Sequence, residues 1–465
     1  MAALAVLLTG LAMATMDGSI LAVATPSLRA DLHASGAELQ LVVMMYTLAL
    51  AALVVTGARL GDILGPRRAF VRSLAAFSLA SLAGGVAPSV SMLIAARTLQ
   101  GAAAAVMTPQ ILSIIQVQYE GWRRARAIGA YSMILAAGVA AGQIIGGVIV
   151  SAHLLAAAWR PALLVNAPVG AVLLACCQHA LPQMTPGSGR RLDLGGVWLL
   201  ATALLALVVP LSIGREAGWP AWVWPCLAVC ALGGGGFVLH ERRVAARGFR
   251  PLFDLSVLKL PGVAAGVLAV LLIMACYSGF LLALTLHLQT GLGFSALHAG
   301  LIFAIYATGF ATASLTWTRV VPAVRERLPV FGPLLMGGAL LAVGLLATNS
   351  SWPLAATAPL LLVGGAGHAW GFAPLTNRLT TLVAPPQAAD LSGLILTADW
   401  TGTVLGVVTF TGVYLSTERH HAPEALALTT AAIGAALLAT SICASRALAH
   451  ARAPLRRCER VRDAA

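Results

Sequence analysis

Residues 129–147 read GAYSMILAAGVAAGQIIGG, an apolar run with glycines at 129, 138, 142, 146 and 147. On a helix the last four lie close to one face. In water each of these glycines would weaken a helix by about 1 kcal/mol relative to alanine. In lipid a strip of Gly and Ala instead lets two backbones approach closely, so that van der Waals contact replaces the hydrophobic drive. The run predicts a membrane helix packed tightly against a second helix.

Composition agrees about the solvent. Hydrophobic residues make up 59% of the 465, charged residues 10%, and mean hydropathy is +0.89, outside the range of a soluble globular chain. The apolar runs reach the roughly 20 residues a helix needs to span a bilayer, and they lack the polar alternation of barrel strands. An all-α membrane bundle follows. Reading the runs against their polar punctuation gives fourteen spans, near 3–25, 39–60, 69–88, 91–114, 126–150, 162–181, 193–213, 221–240, 262–287, 298–318, 330–348, 354–376, 391–415 and 425–447.

Charge tests that count. With the N-terminus inside, the inner segments hold 24 of the 29 basic residues, including Arg67, Arg68, Arg72, Arg123, Arg124, Lys259 and the six arginines after Ser445. The outer segments hold Arg29, Arg160, Arg215 and Arg419, and Arg97 lies within the membrane. This asymmetry is the positive-inside pattern and places both termini in the cytoplasm. The net charge of +13 is spread over every second loop, which suits topology and contact with anionic lipid rather than nucleic acid. Because the first apolar run is a full span with an acidic residue inside it, no cleavable signal is expected.

Several activities are excluded by their missing motifs. Lys259 follows Leu258, so no Walker A loop exists; HERRV at 240–244 fails the HExxH pattern, and no GxSxG occurs. The seven cysteines show no metal-ligand spacing and are expected to be free thiols. No enzyme activity, no cofactor, no metal and no ATPase subunit is expected. Transport would then draw on an ion gradient or run downhill.

The glycine spacing of 129–147 resembles the antiporter motif of the major facilitator superfamily, with Gln143 where that pattern has proline. ARLGDILGPRR at 58–68 resembles the family's inner loop motif through Asp62, Gly65, Arg67 and Arg68, with Ala58, Ile63 and Pro66 departing from it. LIAARTLQGAAAA resembles the fourth-helix motif through Arg97. MDGSILAVATP resembles the first-helix motif of the 14-span drug:proton antiporter group through Asp17, Ser19 and Pro26, with Ala22 in place of asparagine. WRPALLVNAPVG at 159–170 is similar to the start of that group's sixth span.

The resemblance implies two six-helix halves at 1–181 and 262–447, a two-helix insertion with linkers at 182–261, and a basic cytoplasmic tail at 448–465. It makes the thirteenth span, with Gly402 and Gly406, the repeat mate of the fifth, with Gly138, Gly142, Gln143, Gly146 and Gly147 as its packing seam. It implies that Asp62, Gly65, Arg67 and Arg68 form a latch at the inner mouth. Asp17, Arg97 and Asp399 become candidates for proton coupling and substrate contact, because a buried ionisable group in a span is costly and marks a pathway. His368, Trp370 and Trp400 are candidates to line a cavity, with His368 expected to bond a neighbouring carbonyl. The implied function is proton-coupled export of drug-like or natural-product molecules across the cytoplasmic membrane by alternating access, with small molecules, protons and membrane lipid as partners. The alternatives are an importer or facilitator of a small metabolite, or a sensor or scaffold of the same fold that has lost transport.

Overall fold

The structure is a computed structural model that describes residues 2–151, 159–184, 193–214, 218–247, 255–347, 352–380, 382–383, 388–421 and 424–462. Among the described residues the regular structure is entirely helical. The helices are α1 (Ala2–Leu32), α2 (Gly36–Leu64), α3 (Pro66–Gly85), α4 (Val90–Gln118), α5 (Gly121–Ser151), α6 (Arg160–Leu164), α7 (Asn166–Ala180), α8 (Leu194–Ile213) and α9 (Val223–Ala246). They continue as α10 (Val263–Leu286), α11 (Ala296–Thr316), α12 (Pro322–Arg325), α13 (Leu328–Leu346), α14 (Leu354–Thr380), α15 (Ala388–His421) and α16 (Ala425–Arg462).

Each of the fourteen stretches read from the sequence falls on a helix, the sixth on α6 and α7 together. By length and composition, nine helices among the described residues could cross a membrane, or ten if the two segments of α2 count as one span. The count of fourteen is not reached on those criteria alone.

Local chemistry sets the breaks. Ser35 caps α2: its hydroxyl accepts from the Glu38 N–H, while its own N–H donates to Glu38 Oε2 at 2.9 Å. That N–H, together with the Ser35 hydroxyl donating to the same oxygen at 2.8 Å, holds the Glu38 carboxyl below the usual range. Between α2 and α3 the chain turns at Gly65, whose φ of +84° suits glycine, and Pro66 starts the next helix, where its missing N–H costs nothing. The break between α6 and α7 lies just before Pro168, which cannot donate to the Leu164 carbonyl four residues earlier.

The chain forms two compact units, one of Met1–His240 with Phe294–Ala304 and the other of Glu241–Gly293 with Ile305–Ala465. In the first unit α1 packs along α5, and α2 and α3 along α4; in the second α10 packs along α15, and α13 along α14 and α16. The same devices recur in both. A methyl on Gly101 of α4 would strike the Tyr46 carbonyl of α2, and one on Gly365 of α14 would strike the Tyr306 carbonyl of α11.

The glycine strips recur in the same way. Gly138 faces Thr15, Gly142 faces Met16 and Ser19, and Gly146 faces Ile20, all on α1. On α15, Gly402 faces the Leu271 backbone and Gly406 the Ala275 backbone of α10. Backbone-to-backbone approach of this kind is what small residues permit in lipid. Gly147 departs from the expected seam: its open side meets Leu297 of α11 at an ordinary 3.5 Å. It follows Gly146 by one residue, about 100° around the helix, and so leaves the α1 face. The Gln143 side chain lies outside the described residues. The six cysteines whose side chains are described are free; the Cys458 side chain lies outside the described residues.

Candidate functional site

Six helices of the first unit contribute to one network around an ion pair. Arg97 of α4 and Asp17 of α1 are both buried, and Arg97 Nη1 bonds Asp17 Oδ2. Three more of the guanidinium's donors are used close by. Nη1 also donates to Gln100 Oε1 at 3.0 Å, Nη2 to the Asp17 carbonyl at 3.2 Å, and Nε to the Val42 carbonyl of α2 at 3.3 Å. The guanidinium carbon sits 4.5 Å from the centre of the Tyr46 ring, whose hydroxyl donates to the Ala14 carbonyl at 2.7 Å.

Asp17 is equally well supplied. Its Oδ1 accepts from Asn166 Nδ2 of α7 at 2.7 Å and from Gln100 Nε2 at 3.3 Å. Asn166 also donates to the Ser81 hydroxyl of α3 at 3.1 Å, which in turn donates to the Leu163 carbonyl at 2.8 Å. A buried arginine costs about 2.5–3.5 kcal/mol on insertion scales, and such a cost is met only where the fork finds acceptors and the acceptor finds donors. A planar guanidinium suits this geometry because several donors leave it in fixed directions; an ammonium offers three from one point.

The other acidic candidate stands alone. Asp399 of α15 is half-buried, and among the described residues its carboxylate has neither a hydrogen bond nor an ion pair. Its backbone carbonyl accepts from the Thr403 hydroxyl at 2.9 Å, and Tyr277 of α10 is within electrostatic reach.

His368 of α14 differs from expectation. It meets a hydroxyl rather than a carbonyl, with Nδ1 3.1 Å from Tyr306 Oη. Trp370 Nε1 is buried without a hydrogen-bond partner among the described residues, and Trp400 is half-buried.

At the loop between α2 and α3 the residues named for a latch do not form one cluster. Asp62 is exposed and pairs with Arg59 at 3.6 Å, Arg67 Nη2 donates to the Gln178 carbonyl at 3.2 Å, and Arg68 is exposed.

The sequence singles out Asp17 and Arg97 but assigns no role to the residues that complete their network. Gln100 and Asn166 stood inside quoted motifs, and a polar side chain in an apolar span was the available signal. Tyr46 and Ser81 carried no such signal, since both are ordinary in membrane helices.

Residues 7–407 match the family model of the Major Facilitator Superfamily. Among similar proteins, the "Probable actinorhodin transporter" of Streptomyces coelicolor is 34% identical over 412 residues, 87% of this chain and 71% of that one. "Cephamycin export protein CmcT" of Amycolatopsis lactamdurans is 38% identical, covering 84% and 80%. The "Tetracenomycin C resistance and export protein" of Streptomyces glaucescens is 31% identical, covering 83% and 70%. In fold, the chain matches the proton:xylose symporter XylE with a TM-score of 0.66 over 95% of this chain and 94% of that one, at 13% identity. With a family match over most of its length and relatives above 30% identity, this multi-pass helical chain belongs to the major facilitator superfamily of membrane transporters.

Proposed function

We propose that this chain exports drug-like or natural-product small molecules across the cytoplasmic membrane in exchange for protons, with fourteen spans and both termini inside. Relatives named as antibiotic transporters and export proteins support the substrate class. The observation that carries the mechanism is the contrast between the two carboxylates. Asp17 is enclosed by a cation and two amides, whereas Asp399 has no such partners among the described residues. In this reading Asp399 exchanges a proton for a cationic group of the substrate, and the Asp17–Arg97 network couples that exchange to a change of facing state. Two six-helix halves, 1–181 and 262–447, with 182–261 inserted between them, alternate access. Asp62, Arg67 and Arg68 form their latch in the state where the inner mouth is closed.

The direct test uses inside-out vesicles. Adding a substrate should release protons from vesicles carrying the chain, and a protonophore should abolish substrate movement. Intact movement after full collapse of the gradient removes the proton mechanism.

Asp399 is tested by charge. A unit charge pair 4 Å apart at an effective dielectric of about 20 is worth about 4 kcal/mol, while a neutral substrate gains no such term. Asp399→Asn keeps the shape and deletes the charge, so export of a cationic dye should fall by about tenfold or more while that of a matched neutral dye changes little. Asp17→Asn should impair both. Accumulation in cells lacking other pumps, with expression checked by immunoblot, reads the outcome; equal losses for the two dyes with Asp399→Asn would assign that residue to coupling alone.

A further inference from the structure

The second unit holds a buried histidine whose hydrogen bonding is half complete. His368 is 2% exposed, and its Nε2 has no partner among the described residues. Four rings surround it: Phe310 with ring centres 4.7 Å apart, Tyr277 at 4.8 Å, Tyr306 at 6.2 Å and Phe372 at 6.3 Å. They come from α10, α11 and α14, so the cluster is built by tertiary packing and not by one helix.

The tautomer follows from the neighbours. The contacts of the Tyr306 hydroxyl include His368 Nδ1 at 3.1 Å and Met336 Sδ at 4.0 Å, and of these the nearer nitrogen is much the stronger acceptor. With Tyr306 donating to Nδ1, the imidazole hydrogen sits on Nε2, which has no partner among the described residues. A buried donor left unfilled is costly, and it gains when an oxygen reaches it. The rings supply flat apolar walls that favour another ring in an offset or edge-on arrangement. Tyr277 and Phe372 are the half-buried members, so they are the ones that can move aside.

We propose that these residues form a second recognition subsite, which takes a flat aromatic group of the substrate between the rings and an oxygen acceptor of that group on His368 Nε2–H. This deepens the export reading, on which it rests, by naming a substrate feature independent of charge. Asp399 selects for a cation, and His368 selects for a ring bearing a carbonyl or ether oxygen.

The test measures binding directly, so that it does not depend on transport. Purified full-length protein in lipid nanodiscs is titrated with two probes that share one cationic side chain, an anthraquinone and its anthracene counterpart, which differ only in the two ring carbonyls. Wild type should bind the anthraquinone more tightly. His368→Phe, which keeps a ring but removes the donor, should weaken anthraquinone binding about tenfold, about 1.4 kcal/mol, and leave anthracene binding within about twofold. His368→Gln, which restores an N–H donor, should recover part of the loss.

Equal affinity of wild type for the two probes overturns the proposal, as does unchanged anthraquinone binding in His368→Phe. Loss of both probes in both variants also overturns it, in favour of a packing role. Binding that behaves as stated in a protein that moves neither probe in energised vesicles would leave the subsite standing and remove the export reading instead.

Discussion

Arg97→Met should destabilise the protein by about 3–5 kcal/mol and abolish transport, the largest effect expected of any single change. Removing one member of a buried pair leaves the other as an uncompensated charge, which costs more than the pair itself contributed. Here the stranded group is Asp17, still surrounded by the amides of Asn166 and Gln100 but deprived of its cation. The loss includes the tie from α4 to the Val42 carbonyl on α2 and the stacking against Tyr46. The decisive comparison is the double variant Asp17→Asn with Arg97→Met, which should be more stable than Arg97→Met alone because no charge remains buried. Thermal unfolding in detergent followed by tryptophan fluorescence measures the set, read as a double-mutant cycle. A double variant no more stable than Arg97→Met would mean that the two residues do not act as a pair. Arg97→Lys should fall between wild type and Arg97→Met, since an ammonium keeps the charge but cannot reproduce the fork.

The second large effect belongs to the glycine seams. Gly142→Leu should drive a side chain into the Met16 backbone and Ser19, and Gly406→Leu should do the same to the Ala275 backbone. Overpacking typically costs 1–3 kcal/mol where side chains can yield, and these contacts are to backbone, which yields less. Because α1 carries Asp17 on the segment that Gly142 touches, separating α1 from α5 should also disturb the ion pair. Membrane insertion should persist, as leucine is as apolar as the span requires. Transport in vesicles should fall by about tenfold or more for each variant at equal membrane abundance. Gly147→Leu is the internal control: its neighbour is Leu297 at an ordinary distance, so it should lose far less. Transport by Gly142→Leu equal to wild type would remove the seam's proposed role.

Much of this protein is legible in its sequence, for physical reasons. Hydrophobic runs report the solvent and the helices because each span must bury its own backbone hydrogen bonds in lipid. The glycines at four-residue spacing on α5 and α15 report close helix approach because nothing else explains their number in an apolar run. Asp17 and Arg97 are conspicuous because charge inside a span is expensive.

Which groups complete a site was decided only by the fold. Asn166 reaches Asp17 across 149 positions of sequence, and Tyr306 reaches His368 across 62; no local pattern encodes either meeting. Gly147 looked like part of the seam by spacing, yet a rotation of about 100° per residue turned it toward a different helix. Two intramembrane carboxylates looked alike as residues in apolar runs. Packing gave Asp17 a cation and an amide from α4 and a second amide from α7, and among the described residues left Asp399 without either, because a carboxylate's partners depend on which other helices bring donors to its depth.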